Sequence, residues 1–426
     1  MEKNEQIKQT LLETRERRKS QSIRVFELKV NCHHTSKEDF RRFDDIFRQA
    51  KWVINDVIAS EDYFKYSYKE HRIVTNFDKD GNLIERKITI QTGVHQNIIS
   101  HVQQDIVNLS KSKKQGNRVG RLRFRSVCNR IPLKTGMLKI KAKNTVSIPM
   151  FPKLRVYGLE QFINIPDFEI ANADIIKKAS GIYLKVSVYT PKKQGSPNSR
   201  SIGLDFGIKT ALITSEGDSY ICNKRESEYL KFLQRQLHRK QKNSKRYWRL
   251  RNQIQKEYEH LANQKKDIAN KTLSKLQKEN GIIYFQDEQI SKWKRKKRSK
   301  QSKKTVFSFG KQIQASFLGR IKAKLLRLEK DGKAFMISKW VPTTKYCPNC
   351  GNLNNLTLSD RIYSCECGYS CDRDIHSARN IKLFGSTKRA ECLEQTSAEA
   401  LASGILGKDL ESQAIPMKRK PEAHTL

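Results

Sequence analysis

The feature that leaves this chain the fewest options is a pair of cysteine knuckles. Cys347 and Cys350 sit in "YCPNCG", and Cys365 and Cys367 in "SCECG". Each knuckle is a tight turn that can direct two thiolates at one ion, and a structural zinc takes four such ligands in a tetrahedron closed to solvent. Buried free thiols would not require paired spacing, so the pattern predicts a zinc ribbon over residues 343–371. C-x-C is less usual than C-x-x-C, and Cys371 stands as a replacement for one ligand. Directly behind the second knuckle, "CDRDIHSARN" brings Asp372 and Asp374. Carboxylate oxygen suits magnesium or manganese, where thiolate suits zinc. The stretch therefore reads as the edges of two metal sites with different chemistry.

The charge balance points to the partner. Among 426 residues, 85 Lys+Arg stand against 44 Asp+Glu, a formal charge of +41. That is far more than solubility needs and suits a polyanion, with nucleic acid first. A basic membrane-surface protein is the rival. The sequence holds no apolar run of bilayer length, no signal-peptide core and no lipidation motif, so no membrane partner is expected. Of the nine cysteines, Cys32, Cys128, Cys222 and Cys392 are scattered. Free thiols beside a clustered metal site predict a reducing cytoplasm, not a disulfide framework.

The length allows two to four domains. Residues 1–20 are polar and predict a frayed helix or disordered arm. "SIRVFELKV" alternates like a strand, and "TSKEDFRRFDDIFRQAKWVINDVIAS" follows with a Ser/Thr cap and Phe40, Phe43, Ile46, Phe47 and Val53 at helical spacing. "HQNIISHVQQDIVNLSKS" predicts a second helix, and "MLKIKA", "TVSIPM", "KLRVYGL" and "GIYLKVSVYT" predict strands. Residues 21–190 thus read as a small β-domain with inserted helices. "PKKQGSPNSR", 191–200, is the candidate linker. Beyond it, "SIGLDFGIKTALITSEGDSYICN" predicts a meander. A long basic helical stretch, the strand "GIIYFQDEQI", a helix ending at Gly332 and the strand "AFMISKWV" follow. The tail from 397 to 426 lacks periodicity and is expected to be disordered.

Three acidic clusters gain weight together. Asp205 lies in "IGLDFGIKTALIT", opposite the face of Ile202, Leu204 and Phe206, where an uncompensated carboxylate costs several kcal/mol. "YFQDEQI" offers Gln286 and Glu288 on one face and Asp287 on the other, and Asp372 or Asp374 opens a helix. Taken singly, a solvated strand end or a helix cap explains each. An acid on a first strand, another on a later strand after a long helix, and a third on a C-terminal helix match the order of the RNase H-like nuclease fold. In that fold three carboxylates hold two divalent ions, one activating water and one stabilising the leaving oxygen.

"GLDFGIK", "YCPNCG…CECG" and "DRDIHSARNI", in this order, resemble the first and third RuvC motifs and the intervening zinc ribbon of transposon-encoded TnpB and of the miniature type V CRISPR nucleases. The resemblance is strong from about residue 200 to 382 and looser before it, through "GRLRFRS" and "KASGIYLKVSVYTPKK". "DRDIHSA" is more like subtype V-F, whereas TnpB proteins more often carry Asn-Ala-Ala there. The resemblance implies a multidomain α+β protein. Residues 21–190 become a wedge β-barrel with a helical recognition insertion. Residues 201–342 and 372–396 become a split RuvC domain around the zinc ribbon, which binds target nucleic acid. It implies an RNA-guided DNA endonuclease of the prokaryotic cytoplasm, associated with the nucleoid. Its partners are a guide RNA and target double-stranded DNA, and a homodimer on one guide RNA is implied. Cofactors are Mg2+ (or Mn2+) and Zn2+, the latter on Cys347, Cys350, Cys365 and Cys367. Asp205, Glu288 and Asp374 are the implied catalytic ligands, with Asp287 and Asp372 in reserve. The family's second motif reads like Glu-Asp-Leu, whereas this chain has Glu288, Gln289 and Ile290; a shifted register would bring Asp287 or Gln286 into the role.

Overall fold

The computed structural model describes residues 2–77, 81–192, 199–294, 297–298, 305–307, 309–357 and 359–402. The chain divides into two compact units, one of residues 1–194 and 225–264, the other of residues 195–224 and 265–426. Among the described residues no helix is long and apolar enough to cross a membrane.

The first unit runs α1 (Glu2–Lys19), β1 (Gln21–Val30), α2 (Lys37–Ala59), the hairpin β2 (Ile73–Phe77) and β3 (Leu83–Lys87), and α3 (Thr92–Lys114). It continues with β4 (Arg130–Leu133), β5 (Lys139–Ala142), β6 (Thr145–Ile148), β7 (Phe151–Tyr157), the short α4 (Glu160–Ile163), β8 (Glu169–Lys178) and β9 (Gly181–Pro191). Seven strands form one antiparallel sheet in the order β4-β8-β9-β1-β7-β6-β5. The expected barrel is therefore an open sheet among the described residues, with β4 and β5 at its edges. Register shifts between β5 and β6, β6 and β7, and β8 and β9 supply local twist and bending. Ser36 caps α2 by accepting the Asp39 N–H at 2.9 Å, and the face bearing Phe43, Ile46, Phe47, Ala50, Val53 and Val57 is buried. Phe43 stacks on Phe151 of the sheet at 3.9 Å between centroids. Each such large side chain contributes roughly 1.5–3 kcal/mol of burial. Of residues 1–20, expected as a frayed helix or disordered arm, Glu2–Lys19 form α1.

Two further helices complete this unit, α5 (Glu228–His238) and the first part of α6 (Lys245–Glu279). Leu230, Leu233 and Ile254 zip them together, with Leu237 and Leu250 packed alongside. Sequence order places this hairpin with the nuclease segment, whereas its packing is with the first unit.

The second unit holds β10 (Ser201–Asp205), β11 (Leu212–Thr214), β12 (Ser219–Tyr220), β13 (Ile282–Gln286), α7 (Ile290–Trp293), β14 (Lys297–Arg298) and β15 (Thr305–Phe307). It then holds α8 (Gly310–Ala315), α9 (Leu318–Lys330), β16 (Ala334–Ile337), β17 (Ile362–Ser364), β18 (Ser370–Asp372) and α10 (Arg373–Ala402). Its main sheet has the order β12-β11-β10-β13-β16. The first three strands form the expected antiparallel meander, and β13 and β16 run parallel to β10. Leu273 and Leu276 of α6 and Leu318, Ile321 and Leu325 of α9 share a core with Ile202, Leu204, Ile283 and Phe285 of the sheet. The last strand is shorter than "AFMISKWV" and ends at Ile337. The tail expected from residue 397 begins inside α10. Its residues 403–426, like 193–198 of the candidate linker, lie outside the described residues.

Candidate active site and metal centre

The three acidic clusters meet in the second unit. Central strand β10 buries Ile202, Gly203 and Leu204 and ends on the half-buried Asp205. Helix α10 lies so close to it that a Cβ at Gly203 would stand 2.1 Å from the Ala378 carbonyl oxygen. Only glycine permits that approach, and the approach brings the start of α10 to the end of β10. Burial, then the Asp374 carboxylate, then the Glu288 carboxylate push the Asp205 carboxyl up to about 8, against hydrogen bonds from the Phe206 N–H and the Ser377 hydroxyl. Repulsion of this kind marks carboxylates that share one site. A cation between them relieves it, so the hard-oxygen donor set fits magnesium or manganese.

The geometry also sorts the neighbours that sequence left open. Strand β13 ends at Gln286, so the alternation that put Gln286 and Glu288 on one face does not extend to Glu288. Gln286 turns inward: its amide donates to the Ser338 and Val341 carbonyls at 3.1 and 2.9 Å, and its oxygen accepts from Thr343 Oγ1 at 3.2 Å. Asp287 is held in an ion pair, Lys322 Nζ to Oδ1 at 2.6 Å, and the same ammonium donates to the Glu288 carbonyl at 2.7 Å. Glu288 is left facing Asp205. Burial raises its own carboxyl, Lys322 opposes the shift, and Asp287 adds to it. At the third cluster Asp372 accepts the N–H groups of Asp374 and Ile375 at 2.9 and 3.2 Å, which is a helix cap. Asp374, one residue into α10, faces Asp205.

Three side chains without a sequence signal of their own, Ser377, Thr343 and Lys322, support these acids. Ser377 donates to Thr343 Oγ1 at 3.2 Å, linking it to Gln286 through Thr343, and its hydroxyl opposes the rise of the Asp205 carboxyl. Ser377 lies three residues after Asp374, on the same face of α10, and that spacing is the one trace of its role in the sequence. Lys322 sits among the apolar positions of α9 with nothing in the sequence to pair it with Asp287.

The cysteine centre is equally local. Among the described residues, Cys347, Cys350, Cys365 and Cys367 bring their sulfurs within 4.8 Å of one another. Two edges of the group are 3.6 Å (Cys347–Cys367) and 3.5 Å (Cys350–Cys365). Tetrahedral zinc–thiolate bonds of about 2.3 Å imply sulfur separations of about 3.8 Å, so the group fits zinc. Each knuckle closes on a glycine with positive φ, Gly351 at 78° and Gly368 at 87°. The Cys367 N–H draws the Cys365 thiol down to about 6, favouring the thiolate that a metal needs. Cys371 is outside the group, its sulfur accepting from Arg379 at 3.5 Å. The ribbon is fastened to α10: buried Tyr363 stacks on His376 at 3.7 Å, and the Asn380 amide donates to the carbonyls of Thr343 and Tyr346 at 2.8 and 2.7 Å.

The family described as "Cas12f1-like, TNB domain" matches residues 316–381, and the family described as "Probable transposase" matches residues 183–294. A Streptomyces pristinaespiralis protein provisionally named an RNA-guided DNA endonuclease is 25% identical over 194 residues, 43% of this chain and 45% of that one. The similarly named InsQ of Escherichia coli K12 is 26% identical over 209 residues, 44% of this chain and 50% of its own. A provisionally named transposase of Paramecium bursaria Chlorella virus 1 is 54% identical over 41 residues, 10% of each chain. The chain thus spans half or less of the length of these curated relatives. A solved structure entitled "Cryo-EM structure of the Cas12f1-sgRNA-target DNA complex" aligns over 85% of this chain and 99% of that one, with a TM-score of 0.45 and 11% identity. Asp205 and Glu288 fall in the transposase match and the cysteine ribbon and Asp374 in the TNB match, and the chain is similar to the miniature TnpB/Cas12f-like effectors.

Proposed function

We propose that the chain is an RNA-guided DNA endonuclease with one RuvC-like site made by Asp205, Glu288 and Asp374. The observation that carries this reading is the meeting of Asp205, Glu288 and Asp374 at the end of a central strand, where the other two acids, with burial, raise the Asp205 carboxyl. A mixed sheet with three antiparallel strands followed by two parallel ones supports an RNase H-like frame. Two divalent cations, magnesium or manganese, would supply water activation and leaving-group stabilisation at these carboxylates when bound. Asp205, Glu288 and Asp374 would hold them. Ser377 orients Asp205, and Lys322 fixes the turn that presents Glu288. Cys347, Cys350, Cys365 and Cys367 hold a structural zinc that shapes the approach to Asp374. The surplus of basic side chains holds a guide RNA and its heteroduplex with DNA through their backbones, so base pairing reads the sequence.

The test is to co-express the chain with its locus RNA, purify the complex and supply target DNA with magnesium. Cleavage by the native chain, with Asp205→Ala binding the target but leaving it intact, is the expected result. Equal cutting by Asp205→Ala overturns the site. The CRISPR assignment rests on "DRDIHSA" and is checked by the presence of a repeat-spacer array beside the gene. A transposon-encoded guided nuclease is the second reading, favoured by the transposase match over 183–294.

A further inference from the structure

Trp340 is the most exposed large apolar side chain among the described residues, at 71%. A lone surface tryptophan needs no explanation when its backbone is loose. This one is carried on a strap that is pinned at both ends. The strap leaves β16 at Ile337, whose carbonyl accepts the Asp287 N–H at 3.0 Å. Gln286 then donates to the carbonyls on either side of the tryptophan, at Ser338 and Val341. Two residues further on, the Thr343 hydroxyl bonds back to Gln286 and its carbonyl is held by Asn380 of α10. The loop that projects the indole is thus hydrogen-bonded to the two elements that present Glu288 and Asp374. Beside the ring stands Lys339, its ammonium 4.7 Å from the ring centroid.

We infer that Trp340 and Lys339 form a platform for an unpaired DNA strand at the candidate nuclease site, the indole stacking on one base and the ammonium meeting the adjoining phosphate. The inference rests on the nuclease reading for its setting, and on exposure and strap geometry for the contact itself. An exposed indole offers a π-face that accepts any base, which suits an enzyme whose specificity comes from a guide. A rigid strap suits it further, because a platform that positions a strand loses its effect if it moves. Lys339 already lies over the ring, so an arriving base gains a neighbouring cation as well as the stacking surface.

The test uses the full chain in an Asp205→Ala background with no magnesium or manganese added, so that no strand is cut and the structural zinc stays in place. Single-stranded thymidine oligonucleotide is titrated while tryptophan emission is followed. The chain has four tryptophans, so the difference from the same protein with Trp340→Phe isolates this one. Saturable quenching that shrinks in Trp340→Phe supports the platform, and equal quenching in both overturns it. A uridine oligonucleotide that quenches better than thymidine overturns the DNA assignment. In the RNA-loaded complex with Asp205 intact, Trp340→Ala should slow single-turnover cleavage by about 5- to 150-fold, the range expected for loss of one stacked base. Target binding should be unchanged, and Trp340→Phe should recover most of the rate. Wild-type cleavage by Trp340→Ala overturns the role in catalysis. If the native chain cuts no DNA with any RNA, the nuclease reading fails while the quenching experiment still decides the platform.

Discussion

Replacing Asp205 with asparagine should make the RNA-free, ion-free protein more stable, and increasingly so as pH rises. The Asp205 carboxyl moves from an ordinary 3.8 to about 8 on folding, chiefly through burial and then through Asp374 and Glu288. The folded protein therefore binds the proton more tightly than the unfolded chain. Stability from this group is present below about pH 4 and is lost as pH climbs toward 8, at up to about 1.4 kcal/mol per pH unit. Integrated between pH 5.5 and 8.0, the loss is about 3 kcal/mol. The amide of the Asp205→Asn variant cannot ionise, so the variant escapes the loss. Glu288, also raised by burial, adds a slope of the same sign that the substitution does not remove.

The assay is thermal unfolding in magnesium- and manganese-free buffer at both pH values, comparing Asp205→Asn with the native chain. For a domain of 150–250 residues, 1 kcal/mol shifts Tm by about 2–4 °C, so the difference between the two proteins should widen by about 6–12 °C from pH 5.5 to pH 8.0. Other titrating groups cancel in that comparison. Magnesium should narrow the gap at pH 8.0, because an ion bound by the folded site stabilises it by mass action. A Tm difference that stays constant with pH would refute the raised Asp205 carboxyl.

At the second acid, Glu288→Gln should abolish cleavage in the RNA-loaded complex while Asp287→Asn retains most of it; the reverse result would move the ligand by one residue. Cys347→Ser or Cys365→Ser should release the zinc and lower stability, since structural zinc binding is coupled to local folding. Elemental analysis that finds no zinc in active protein would remove the ribbon. Stripped of RNA, the chain should bind duplex DNA without sequence preference and with affinity falling steeply as salt rises. Tight, sequence-specific binding by the bare protein would sink the guided reading.

Periodicity carried much of the fold. "SIRVFELKV" lies within β1, and the pattern after Ser36 became α2 with Phe43, Ile46, Phe47 and Val53 buried. Strand β8 is not legible in the sequence because "EIANADIIKK" breaks the apolar alternation with Asn172 and Asp174. Asp174 is tolerated at 8% exposure because Arg130 of the neighbouring β4 donates to it at 2.8 Å. That pairing joins residues 44 apart and leaves no local trace. Whether the strands closed into a barrel was equally invisible, because edges depend on which strands pair and not on how each alternates.

At the candidate site, residue type was legible and residue role was not. "YFQDE" offers three oxygen-bearing side chains in a row, and period-two alternation gave no ground for choosing between the second and third. What separates them lies far away in sequence. Lys322 binds Asp287, and Ser338, Val341 and Thr343 occupy Gln286. Glu288 is then the carboxylate of this turn that bears on Asp205. At the third cluster the Asp374 and Ile375 N–H groups engage Asp372 as a helix cap, while Asp374, its carboxylate 3.6 Å from the Arg373 guanidinium, bears on Asp205. At the second cluster the candidate ligand stands out by elimination, because a carboxylate already paired with a lysine gains little from a metal. An acid held against other acids gains most from one.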